Sequence, residues 1–266
     1  MCGRRGVPLR FFALVFALSV PLWGLGELAG VVGVVRPYNL PVSALMGFCP
    51  LIAALLLLPR GERLALLKRA VASFGPKRWY VPALLLMPGL AVASYVVLRL
   101  SGEAVPGPHV VLPMVPVLFV AFFVAAVGEE AGWMGYALGR MPARWSALTT
   151  ALVMGVVWAV WHVVPWLQAD RSVAWVAWQC LGTIATRVLI VWVYGNTGGS
   201  VCSAVLLHTS DNMAYVLFPV DGSHYDPMSS GLLATVAAVI VVFLWGPRTM
   251  ARHRYASRRR TTAPSP

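Results

Sequence analysis

Seven ionisable side chains lie inside otherwise apolar stretches of this sequence: Glu27, Glu129, Glu130, His162, Arg187, His208 and Asp211, with Asn212 as a neutral companion. In hydrocarbon each such group costs several kcal/mol, so each marks a candidate site. Three clusters carry most of the chemistry. VGEEAGWMGYAL sets Glu129 beside Glu130, VVWAVWHVVPW sets Trp158 four residues before His162, and LLHTSDNMAY sets His208 four residues before Asn212. Positions i and i+4 share one helix face a turn apart, so each segment can present its polar groups to a common interior point. Two carboxylates and two imidazoles in one apolar cavity can activate a water molecule. A carboxylate acts as general base, while a second imidazole and an amide donate to an oxyanion. Two other readings stay open. Glu129, His162 and His208 could hold a divalent metal such as zinc with a position left for water. Alternatively, Glu129, Glu130 and Arg187 could form a charge relay in a transport-type protein.

The elements that must position these residues are membrane helices. Of 266 residues, 59% are hydrophobic and 11% charged, about half the charged fraction of a soluble domain. Apolar runs of ~18 residues or more recur, each long enough to cross ~30 Å of hydrocarbon. Lipid offers no partner to backbone N–H and C=O groups, which demands helix, and the runs lack the short alternation of a barrel. The expected fold is therefore all-α, a multi-pass transmembrane bundle of about eight spans: 11–35, 40–59, 79–98, 112–138, 147–167, 175–197, 200–220 and 231–247. Residues 1–266 read as one integral membrane domain, with the motif-bearing core at 112–220 and a basic tail at 248–266. The first span reads as an uncleaved helix, since its run is long and no small-x-small site closes it. Pro21, Pro88 and Pro116 fall inside spans, where neighbouring helices must cover the kinks. Gly128, Gly132, Gly135 and Gly139 form G-x-x-x-G steps suited to close helix packing.

Charge sets the expected orientation. With the N-terminus inside, 17 of the 21 Lys and Arg residues fall in inside segments and only Arg36, Arg99 and Arg171 fall outside. That asymmetry puts both termini in the cytoplasm. The net charge of +12 then faces anionic headgroups and calls for no nucleic acid. Segment 60–78 carries Leu64, Leu67, Val71 and Phe74 near helical spacing between basic residues, which suits either an amphipathic surface helix or a solvated connector. The four cysteines are scattered and suggest neither a disulfide framework nor a zinc finger.

On these three motifs the sequence resembles the CPBP family, bacterial relatives of the type II CAAX prenyl endopeptidase, also called the Abi or CAAX amino-terminal protease family. The family pattern is E-E-x-x-x-R, then F/W-x-x-x-H, then H-x-x-x-N/D, on three successive spans. Glu129-Glu130, Trp158-x-x-x-His162 and His208-x-x-x-Asn212 match it in order and interval over roughly 112–220. The resemblance implies an intramembrane endopeptidase acting on prenylated or otherwise membrane-borne peptide or protein substrates. In it Glu129 and His162 activate water, His208 and Asn212 stabilise the oxyanion, and metal dependence is open. The sequence lacks H-E-x-x-H, and Asn is a poor zinc ligand.

One position departs from the pattern: Met134 stands where the family has Arg. On a regular helix that Arg would pair with Glu130 at i+4, so either Glu130 is protonated or another cation compensates. Arg187 is the natural candidate, which would bring span six beside span four. A degenerate member could also keep the fold and lose the activity. The cluster is expected to line one polar cavity open toward the cytoplasm. Depth poses a difficulty: at ~1.5 Å per residue, Glu129 and His208 lie ~12–15 Å from the cytoplasmic ends and His162 ~22 Å. Convergence then requires span five to begin nearer Ala151 or to tilt. Glu27 and Asp211 have no assigned role.

Overall fold

A computed structural model describes residues 7–29, 42–72 and 75–251. Arg36, Phe74 and the part of the basic tail from 252 onward lie outside these residues. Among the described residues there are nine α-helices and no β-strand. They are α1 (Leu9–Ala29), α2 (Cys49–Leu57), α3 (Arg60–Ala72), α4 (Tyr80–Leu100), α5 (Met114–Gly132), α6 (Ala147–Gln168), α7 (Val173–Asn196), α8 (Val201–Leu217) and α9 (Pro227–Trp245). Six helical segments are long and apolar enough to cross a membrane. The protein is thus a multi-pass helical membrane bundle.

The two other expected spans are shorter. A 3-10 turn, Val42–Phe48, leads into α2 and gives an apolar segment Val42–Leu57. Helix α8 has 17 residues. The segment α3 is helical, and its Arg69 Nη2 donates to the Gly135 carbonyl at 2.8 Å.

Sequence fixes several helix starts through side-chain caps. Ser146, Ser172, Ser200 and Asp226 accept from the backbone N–H three residues on, opening α6, α7, α8 and α9. Each satisfies one of the donors a helix leaves unpaired at its N-terminus. Pro116 lies in the first turn of α5, where a missing N–H costs no hydrogen bond. Pro21, Pro88 and Pro165 are the interior prolines.

Contacts between turns show that successive segments run in alternating directions. At one end Leu148 N–H donates to Pro247 O and Gly135 abuts Leu66. At the other, His109 N–H donates to Pro219 O, Gln168 donates to the Trp23 carbonyl, and Ser94 meets Ser229. Among the described residues the first end carries Arg10, all the basic residues of 60–78, Arg140, Arg144 and Arg248, which makes it the basic end, and the opposite end has only Arg99 and Arg171.

Helices α7 and α8 are the inner elements. The middle of α7, Ala185–Val193, is buried throughout, as is Val201–Val205 of α8. Helix α7 packs chiefly on α6 and α9, and α8 on α4 and α5. Large exposed apolar side chains fall instead on α1, α4, α5, α6 and α9, for example Leu25, Leu85, Val120, Val156 and Val239. Those faces meet lipid.

The glycine series on α5 works in part. A β-carbon at Gly132 would overlap the Pro50 carbonyl, and one at Gly128 would stand 2.9 Å from the Gly47 carbonyl. Both let α5 lie against the α2 segment. Gly135 sits 2.7 Å from a Leu66 methyl by the same measure, whereas Gly139 faces open space.

Candidate functional site

Glu129, Trp158, His162, His208 and Asn212 all line one cavity of about 280 Å³. The three motifs therefore converge, and they do so without the shift proposed for span five. Helix α6 begins at Ala147 with its Ser146 cap. The level is matched by Trp158, not His162: Trp158 Nε1 donates to Glu129 Oε2 at 2.7 Å. His162 sits one turn farther along and reaches the same cavity from there.

Trp158 organises the cluster. Its carbonyl is 2.8 Å from His162 Nδ1. A carbonyl only accepts, so Nδ1 carries the proton and, in a neutral ring, Nε2 is the free acceptor. The Trp158 ring stands edge-on to His162 and to His208, with centroids 5.3 and 5.1 Å apart. On it rests the Arg187 guanidinium, its Cζ 4.0 Å from the ring centroid, a cation–π contact removed from water. Sequence alone set this residue one helical turn before His162. The indole hydrogen bond and the cation above the ring become visible only when α6, α5 and α7 are assembled.

Behind the cavity wall lies a buried triad. Arg187 Nη1 donates to Glu130 Oε2 at 2.7 Å, and Glu130 Oε1 pairs with His208 Nδ1 at 2.9 Å. Glu130 and Arg187 side chains are wholly enclosed, and neither lines the cavity. Arg187 thus supplies the cation that Met134 does not. It arrives by a different route from the one expected. Helix α7 lies on α6 rather than along α5, and the side chain reaches across. Gly155 of α6 makes room, because a β-carbon there would come within 3.1 Å of Ile184 Cα and 3.2 Å of Arg187 Cβ. Met134 itself is buried in a π-helical turn, Trp133–Ala137, that continues α5. The regular i+4 relation to Glu130 therefore does not hold there, and an Arg at 134 has no assured path to that carboxylate.

From this cluster the cavity runs away from the basic end. Beyond His162 its wall continues through Pro165, Trp166 and Ala169 to Arg171; beyond His208, through Asp211 and Asn212 to Tyr215. Phe122 and Ala125 precede Glu129 on α5, and Gln179 and Thr183 come from the first half of α7. The cavity thus does not open toward the basic end, where the sequence led it to be expected. Depth counted along single helices locates a residue but not the side from which a void is filled. Tyr225 closes the far wall, its hydroxyl donating to Gln179 Oε1 at 2.7 Å; burial pushes this phenol up, so it stays a neutral donor. Asp211, unassigned from sequence, faces the cavity. Glu27 accepts from Gln168 Nε2 at 3.4 Å and does not line this cavity.

Among the described residues no group of three or more His, Cys, Asp or Glu side chains stands so as to hold a metal ion. Glu129, His162 and His208 line the cavity without forming such a set, Glu129 and His162 being bonded to Trp158 and His208 to Glu130.

Residues 111–214 match the family model described as type II CAAX prenyl endopeptidase Rce1-like. A stretch of 48 residues is 42% identical to the CAAX prenyl protease 2 of Methanococcus maripaludis, covering 18% of this chain and 17% of that protein. The matched stretch thus spans about one sixth of the curated relative's length.

Proposed function

We propose that the chain is an intramembrane endopeptidase of the CPBP/CAAX prenyl protease type, whose family model its residues 111–214 match, cleaving a peptide bond in a membrane-borne substrate, prenylated peptides included. The observation that carries the reading is the lining of one cavity by Glu129, His162, His208 and Asn212. Glu129, oriented by the Trp158 indole, takes a proton from water as the oxygen attacks the scissile carbonyl. His162, with Nδ1–H fixed on the Trp158 carbonyl, offers Nε2 as acceptor to the same water. The carbonyl becomes an oxyanion, which His208, acting as an imidazolium with Nδ1–H on Glu130 and Nε2–H free to donate, and the Asn212 amide stabilise. The proton held by Glu129 then passes to the leaving nitrogen as the C–N bond breaks. Glu130 and Arg187 are positioning residues, since they act on His208 and Trp158 and touch no substrate.

A charge relay across the membrane would need Glu130 and Arg187 to exchange protons with the cavity. Both are sealed from it and held by one another, so no observation favours that reading. The excess of basic residues at one end supports a cytoplasmic position for both termini under the positive-inside rule.

The test uses the full chain purified and reconstituted in liposomes, incubated with a farnesylated peptide ending in a CAAX sequence and with its unprenylated counterpart. Products are read by mass spectrometry, with and without chelator. Cleavage is expected, and Glu129→Gln should lower it ~100-fold or more, the scale of a lost general base. Activity unaffected by chelator supports the metal-free route, and activity abolished by it overturns that route. Unchanged cleavage by Glu129→Gln overturns the assignment of the base.

A further inference from the structure

We propose that Asp211 sets specificity at this site by pairing with a basic side chain, Lys or Arg, that the substrate carries close to the scissile bond. The inference rests on the peptidase reading above and names a feature of the substrate.

One observation is a carboxylate that the protein leaves unpaired. Glu129 accepts from the Trp158 indole, and Glu130 holds Arg187 and His208. Asp211 is half-buried on the cavity wall, and among the described residues no hydrogen bond or ion pair reaches it. The cations around the cavity are committed elsewhere. Arg187 and His208 serve Glu130, and the Arg171 Cζ lies 5.0 Å from the Trp175 ring centroid. The Tyr225 hydroxyl, on the same wall, donates to Gln179. A carboxylate held away from bulk water is costly unless a cation or donors face it. The open space beside Asp211 is where such a partner can stand.

The other observation is the space itself. A smaller chamber of about 50 Å³ lies between α4, α7, α8 and α9. Gln179, Thr183, Asp211, Tyr215 and Tyr225 line both it and the main cavity, so Asp211 stands on a wall that the two share. Beyond that wall the chamber is bounded by Met87, Leu90, Ala91 and Ala234. Tyr215 stands edge-on to Tyr225, with ring centroids 4.7 Å apart. A carboxylate in the company of two phenol rings suits a cationic nitrogen. The apolar wall can cover a methylene stem, and the chamber has room for about three waters, so the charged head keeps part of its hydration. One carboxylate offers a divalent ion too few oxygen ligands. Asp211 follows His208 by three residues and adjoins Asn212 on α8, a rise of ~4.5 Å from His208. At ~3.3–3.6 Å per extended residue, the side chain read there belongs about one or two positions from the scissile carbonyl.

The test is a series of fluorescently labelled apolar peptides, acetylated at the N-terminus, in which each position in turn holds Lys, norleucine or Glu. Norleucine keeps the methylene stem of Lys and lacks its ammonium. Binding to the detergent-solubilised full chain is read by anisotropy in a Glu129→Gln background, so that bound peptide is not consumed. At one position Lys is expected to bind roughly tenfold tighter than norleucine, the scale of a hydrogen bond to a charged group, and Glu more weakly than either. Asp211→Asn should bring the Lys-to-norleucine ratio near one. Equal binding of Lys and norleucine at every position overturns the proposal, as does a ratio that Asp211→Asn leaves unchanged. A preference seen only when the N-terminus is left free overturns the side-chain assignment in favour of an α-ammonium. Should Asp211→Asn fail to fold, the ratio among Lys, norleucine and Glu peptides on the chain with Asp211 intact decides. Cleavage of the same series by the wild-type chain is measured in parallel. Peptides that bind with the Lys preference and are never cut count against the peptidase reading and support the role of Asp211.

Discussion

The Glu130–Arg187 pair is the most consequential contact at the residue scale, because neither charge has access to water. Breaking such a pair leaves one ion buried without compensation, at about 3–5 kcal/mol. Arg187→Ala and Glu130→Gln should therefore each lower the unfolding midpoint of the detergent-solubilised protein substantially. The double variant should lose less than the sum, with a coupling energy of roughly 0.5–3 kcal/mol. Additive losses would mean that the two side chains do not meet. Much of this was readable beforehand: motif spacing singled out Glu129, His162, His208 and Asn212, and the missing Arg at Met134 pointed to Arg187. The part played by Trp158 was not readable, since an indole donor can be matched to a carboxylate only once two helices are placed side by side. Nor was the π-helical turn at Trp133–Ala137, which removes the i+4 argument for Met134→Arg. A local change of helix type leaves no mark in an apolar run.

Close approach of α5 to the α2 segment governs the site at the element scale, because it sets Glu129 beside Gly47 and so against one cavity wall. Gly132→Ala would drive a methyl into the Pro50 carbonyl, and backbone cannot step aside as a flexible side chain can. Overpacking of this kind costs about 1–3 kcal/mol, so Gly132→Ala should lower the unfolding midpoint and reduce activity together. Gly139→Ala, facing open space, should leave both nearly unchanged. Equal effects at the two positions would show that the glycines act through backbone propensity instead of packing. Hydropathy placed the helices well, because length and apolarity are what the bilayer selects. It overreached at α2 and α8. There the crossing segments are shorter, and α2 is entered through a 3-10 turn; inside a bundle, flanking turns can be satisfied by protein, and full apolar length is no longer required.

The whole molecule divides into a lipid-facing shell and an inner pair of helices, and that division makes two equally exposed positions behave differently. Val120 on α5 is 62% exposed and Leu64 on α3 is 61% exposed. In water-soluble proteins both would tolerate arginine within about ±0.5 kcal/mol. Here Val120 lies in the apolar stretch Met114–Gly132 among Val117, Val124 and other outward residues, so its side chain meets acyl chains. Leu64 lies in Arg60–Ala72 beside Arg63 and Lys68 at the basic end, where a guanidinium meets headgroups. A central arginine costs ~2.5–3.5 kcal/mol on insertion scales, while basic residues near an anionic surface gain about 1 kcal/mol. Val120→Arg should therefore sharply reduce the protein recovered in the membrane fraction and lower its unfolding midpoint, and Leu64→Arg should leave recovery intact. If Val120→Arg is recovered as well as Leu64→Arg, the outward face of α5 is not in hydrocarbon, and the arrangement of shell and core described here does not hold.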